Sequence, residues 1–181
     1  MKKVIILSIL ATIFLLPSGA WGEEEWITYK SKPVEGVTYS IQYPPSWELK
    51  EMSPISVGIM CFDDPKLKTM VTIAIQDVRL LGYKTVTLDE YLKIHDRNIP
   101  DSALDFNHSA REKVSLSGEE ASLTVYAYKD KKDPQWHVKG KSYTLLAKEM
   151  LAYEVGYGAT PESYDKFSET AQKIINSFRF E

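Results

Sequence analysis

The sequence predicts an α+β protein: a largely antiparallel sheet covered by helices and closed by a C-terminal amphipathic helix. Three observations predict it. Apolar residues recur at alternate positions in short runs, as in Tyr39-Ser40-Ile41-Gln42-Tyr43 and Leu151-Ala152-Tyr153-Glu154-Val155, the mark of half-buried strands. The links between most such runs have hairpin length, which places successive strands antiparallel. From Pro161 to Phe178 the period changes. Tyr164, Phe167, Ala171, Ile174, Ile175 and Phe178 recur at steps of three and four, one apolar stripe of a helix.

The elements follow in order. Glu23 to Pro33 reads as a polar, acidic lead-in. Val37, Tyr39, Ile41 and Tyr43 share one face of a first strand. Pro44 and Pro45 donate no ladder hydrogen bond and stop it, and the turn at Ser46 drops Trp47 back onto the core. Trp47 and Leu49 begin a second strand. Ile55 to Phe62 and Met70 to Val78 make two more, linked by Asp63-Asp64-Pro65-Lys66. Thr87-Leu88-Asp89-Glu90 is a capping box, so a helix is expected from Leu88 to about Asn98, closed by Pro100. Ser102 to Asn107 reads as a loop. Strands follow at about Ala110–Leu116, Ala121–Tyr128, Lys139–Ala147 and Leu151–Tyr157, with a tight turn at Ser117-Gly118-Glu119. The expected total is seven or eight strands, a middle helix and a terminal helix, without internal repeats.

The first residues read as a secretory signal. Lys2 and Lys3 form a basic start, Val4 to Leu16 an uncharged apolar run, and Ala20-Trp21-Gly22 a small-residue cleavage site. Cleavage is expected between Gly22 and Glu23, giving a signal peptide over 1–22, a single domain over 23–181 and a periplasmic or secreted product. The apolar run is shorter than the roughly 20 residues a membrane helix needs. Without Lys2 and Lys3, 20 basic side chains face 25 acidic ones, a net charge of −5. No basic stripe is present, which argues against nucleic-acid binding and against adsorption on anionic lipid.

Chemistry-bearing motifs are sparse. There is no phosphate-binding glycine loop, no nucleophile elbow and no cysteine pair. Cys61, the single cysteine, reads as a small buried strand residue. Asp63 and Asp64 read as turn residues, and Met52, Met60 and Met70 as packing, so no metal and no cofactor are expected. His95, His108 and His137 lie far apart in sequence and read as solvated. Tyr126, Tyr128, Tyr143, Tyr153 and Tyr157 could line a groove, but strand alternation explains them as one-face packing. Trp136 differs, because it sits in the polar loop KDKKDPQWHVKG. An exposed loop tryptophan can anchor a partner, so Trp136 and His137 are the candidate partner-binding residues.

The stretches Tyr39-Ser40-Ile41-Gln42-Tyr43-Pro44-Pro45-Ser46-Trp47, Thr87-Leu88-Asp89-Glu90-Tyr91 and Phe167 to Phe178, in this order and spacing, resemble the PsbP-like superfamily. Its members include an extrinsic photosystem II protein and secreted bacterial envelope proteins. The resemblance implies an α/β/α sandwich around an antiparallel sheet, and a non-catalytic binding or assembly role. Photosystem binding in that family uses an N-terminal extension and basic surface residues, whereas this chain has the short acidic run Glu23 to Glu25. The expectation is an interaction module that is not an enzyme and binds another envelope protein or complex. The rivals are a metal- or small-ligand-binding protein using His108 or His137 with nearby acids, an enzyme whose residues meet only in space, and, weaker, the photosystem-type extrinsic subunit that the resemblance implies.

Overall fold

Eleven strands, two α-helices and a short 3-10 helix (Val78–Leu81) form among the residues that the computed structural model describes, which are 25–64, 69–97, 103–109, 111–148 and 150–181. The expected signal peptide, its cleavage point at Gly22 and Glu23, Pro65, Pro100 and Ala110 lie outside them. The strands are β1 (Ile27–Lys30), β2 (Tyr39–Tyr43), β3 (Trp47–Ser53), β4 (Ser56–Cys61), β5 (Met70–Asp77), β6 (Ala103–His108), β7 (Glu112–Leu116), β8 (Glu119–Asp130), β9 (His137–Ala147), β10 (Leu151–Ala159) and β11 (Arg179–Phe180). The α-helices are α1 (Leu88–Arg97) and α2 (Pro161–Asn176). The main sheet runs β3-β4-β5-β10-β9-β8-β6, with β7 also paired to β8, and every recorded pairing is antiparallel. A second, small sheet has the order β1-β2-β11.

Alternation along the strands sorts side chains to two faces. In the register of β5 with β10, Ile75 faces Tyr153, Ile73 faces Val155 and Val71 faces Tyr157. These residues, with Ile59 and Leu145, are buried in one cluster with Ala171, Ile174 and Ile175 of α2. The small sheet completes this layer: Tyr39 packs edge-on to Tyr153 at 6.0 Å and beside Phe178 at 5.3 Å. Trp47 is buried and meets Phe167 edge-on at 6.3 Å, so the double-proline turn does return it to the core. Cys61 is fully buried at the end of β4, and burial pushes its thiol pKa up.

The opposite face carries α1 over a smaller cluster of Val78, Val86, Tyr91 and Ala152. The capping box forms as expected. The Glu90 carboxylate accepts from the Thr87 amide at 2.8 Å, and the Glu90 amide donates to Thr87 Oγ1 at 3.3 Å. A helix on each face of an antiparallel sheet makes the molecule an α+β sandwich.

Four features differ from the sequence expectation. The lead-in contains β1, the 102–107 loop is largely β6, and β11 follows α2. The first two are mostly exposed, so they show no buried alternation. In β6 the register shifts between Leu104 and Asn107, and Asp105 has φ 51°, a bulge that breaks the period. With two residues, β11 is too short to carry a pattern. The fourth difference is β2, which pairs in the small sheet rather than the main one. Gly118 closes the β7–β8 hairpin behind Ser117, with φ 82° after φ 60°, the left-handed pair such a two-residue turn requires.

Candidate ligand cleft and partner surface

Trp136 and His137 sit at one end of the β8–β9 hairpin. The loop is shorter than the sequence suggested, because β8 reaches Asp130 and His137 already opens β9 opposite Lys129. Asp130 Oδ1 accepts from the amides of Lys132 and Asp133, and the Trp136 amide donates to the Asp133 carbonyl at 2.7 Å. This folds the loop back. Trp136 is half-buried and His137 exposed. Both line a shallow pocket of about 320 Å³ against Thr160, Pro161 and Glu162 at the start of α2. The ring is therefore a pocket wall rather than a projecting tip.

The other candidate residues separate. His108 lies on the exposed edge strand β6, and its Nδ1 is 2.8 Å from the Ser109 carbonyl. Tyr143, Tyr153 and Tyr157 point to the α2 side. Tyr126 and Tyr128 lie on the other face, where Phe106 stacks at 6.3 and 6.5 Å. Tyr126 lies across Gly140, where a Cβ would come within 2.4 Å of the ring. Asp64 is buried and accepts from Thr69 Oγ1 at 2.7 Å. Among the described residues no group of three or more His, Cys, Asp or Glu is placed to hold a metal ion.

His95 alone joins a cluster, and its partner escaped sequence reasoning. Glu154 is central in β10, on the face opposite Tyr153 and Val155. It lies across from Ala74 of β5 and Thr144 of β9. Ser142 Oγ donates to Glu154 Oε1 at 2.7 Å. His95 Nε2 from α1 stands 3.7 Å from Oε2, an ion-pair distance longer than a good hydrogen bond. Burial pushes the Glu154 carboxyl up, but the His95 imidazole and the Ser142 hydroxyl outweigh it and hold the pKa below its ordinary value. Tyr91 is pushed up to about 12, first by burial and then by the charge of Glu154. The detectable signal was a lone carboxylate between Ala152 and Gly156 on an otherwise small-residue strand face.

This cluster forms the floor of a cleft of about 530 Å³ between α1 and the sheet. Tyr91 and Ile94 make one wall, and Ile55 and Leu81 flank the mouth. Of the apolar residues lining the cleft, Ile55 and Leu81 are exposed, and Met52, 58% exposed, Leu80, 79% exposed, and Tyr83 lie near them in sequence.

The geometry can be set beside known proteins. No protein-family model matches the sequence, and no curated protein matches it. Solved structures do. The cyanobacterial PsbP (CyanoP) of Synechocystis sp. PCC 6803 superposes with TM-score 0.57 at 14% identity, over 92% of this chain and 99% of its own. The chain has the PsbP-like fold. LpqN, involved in cell envelope biogenesis of Mycobacterium tuberculosis, matches with TM-score 0.54 at 15% identity, over 86% of this chain and 91% of its own. PA94 of Pseudomonas aeruginosa, a protein of unknown function, gives TM-score 0.57 at 10% identity, over 83% and 94%. At these identities the shared property is the PsbP-like architecture, with its sheet between helices. No described helix is long and apolar enough to cross a membrane.

Proposed function

We propose that this chain is an exported, non-catalytic interaction module of the bacterial envelope, which binds another envelope protein through the rim of the α1 cleft. The observation that carries the reading is the pair of exposed apolar segments whose Ile55 and Leu81 border that cleft. Met52 and Ile55 from the β3–β4 hairpin stand exposed with Leu80, Leu81 and Tyr83 from the segment after β5. Ile55 and Leu81 border the same cleft. Exposed apolar groups gathered in this way mark sites of association. The signal-like start of the sequence supports export, and the envelope role of LpqN, which shares the fold, agrees with it. The half-buried Trp136 offers a second, smaller contact surface.

The test is in-cell photo-crosslinking, with the photoreactive residue placed at Leu80 or at Trp136 and Met52→Ser/Leu81→Ser as the control. One dominant adduct from position 80, lost in the control while its thermal midpoint is kept, supports the reading. An adduct only from position 136 moves the surface to the β8–β9 loop. No adduct above background from either position overturns the proposal.

A further inference from the structure

We propose that the α1 cleft receives a lysine or arginine side chain of the partner protein, with its cationic end on the Glu154 carboxylate and its aliphatic stem along Tyr91 and Ile94. The inference rests on the interaction-module reading and specifies the partner's chemistry.

Three observations converge. First, Glu154 is held ready to accept. A carboxylate offers about four lone-pair positions; Ser142 Oγ fills one at 2.7 Å and His95 Nε2 pairs with the other oxygen at 3.7 Å, which leaves further positions for a donor. Second, Gln76 also lines the cleft, and its amide nitrogen is engaged by the Asp77 carbonyl at 3.1 Å. Its amide oxygen is left as a further acceptor beside the carboxylate. Third, Ile55, Leu81, Tyr91, Ile94 and Ala152 supply apolar wall, and no lysine or arginine is among the described lining residues. An anion would meet Glu154 as a like charge. A neutral apolar group would strip water from the carboxylate without replacing its hydrogen bonds, which is costly. A long side chain with an apolar stem and a cationic head satisfies both the walls and the floor. The acidic excess of the chain outside its first residues favours approach of such a partner.

The experiment is a backbone-amide NMR titration of the mature protein with N-acetyl-lysine methylamide, the arginine analogue and the uncharged norleucine analogue. The lysine and arginine probes are expected to shift Ala74, Gln76, Ile94 and Ala152. The norleucine probe should bind roughly tenfold more weakly, as should lysine to Glu154→Gln, since a hydrogen bond to a charged group is lost in each case. Gln76→Glu adds a second carboxylate and should strengthen the lysine response. Equal binding of norleucine, unchanged binding by Glu154→Gln, or shifts confined to other residues overturns the proposal. Should Glu154→Gln not fold, Gln76→Glu decides: a stronger lysine response supports the proposal and an unchanged one overturns it. Partner capture through Leu80 without a lysine response in the cleft removes this inference and leaves the module reading standing. A lysine response without partner capture removes the module reading and keeps the cleft as a cation site.

Discussion

The two faces of the main sheet are built to different standards. Under α2 and the small sheet lies a continuous layer of fully buried side chains, among them Ile41, Ile73, Tyr153, Tyr157, Ile174 and Phe178. Under α1 the buried apolar cluster shrinks to Val78, Val86, Tyr91 and Ala152, and beside it sit a carboxylate, an imidazole and a serine hydroxyl. The contrast places the larger share of folding stability on the α2 face. Burial of large apolar groups supplies the folding free energy, so the α2 face can hold the molecule while the α1 face keeps polar groups that packing alone would exclude.

The largest test of that contrast is side-chain truncation on each face. Phe178→Ala removes a ring packed against Tyr39, Tyr153 and Phe180 and should cost about 3–5 kcal/mol in urea unfolding. Ile94→Ala on the half-buried wall of the cleft should cost about 1 kcal/mol. Equal losses would break the comparison. Next in size is Gly140→Ala, on the α1 side. Its Cβ would collide with the Tyr126 ring, and overpacking of this kind costs about 1–3 kcal/mol. The same substitution made in a Tyr126→Ala background should cost far less, and a cycle of the four proteins measures the coupling.

The smallest effect concerns pH. The folded Glu154 carboxyl titrates below the unfolded one, so its contribution to stability is complete above the ordinary 4.5 and fades as pH falls through the lower folded value. The stability difference between the native protein and Glu154→Gln should therefore shrink on acidification. The change should stay below about 1 kcal/mol, because the two side chains each keep 38% of their surface in water, which screens the pair. A difference that grows on acidification would reverse the assigned sign.

How much of this was legible in the sequence depends on burial. β5, β10 and α2 announce themselves, because buried apolar residues impose the period of two or of 3.6. The start of α1 was legible from the Thr87–Glu90 box, a local interaction that needs no tertiary context. The edge strands β1 and β6 were not, because an exposed strand has no reason to alternate and β6 is interrupted by its bulge. The candidate cleft was the least legible part. His95 and Glu154 are separated by more than fifty residues and meet only because β10 is central in the sheet and α1 crosses that face. Trp136 was singled out for lying in a polar loop, but its half-burial against Pro161 depends on the hairpin folding back on α2.

The small sheet has a consequence under mechanical load. β2 holds β1 by four residue pairs and β11 by two. Glu181 adds side-chain contacts to Lys30 at 3.2 Å and Ser40 at 2.7 Å. Force drawn between residues 25 and 181 reaches these few pairings before the long β8–β9–β10 ladder. Extension would begin by detaching β11 and β1, while the sheet that carries the cleft keeps its shape.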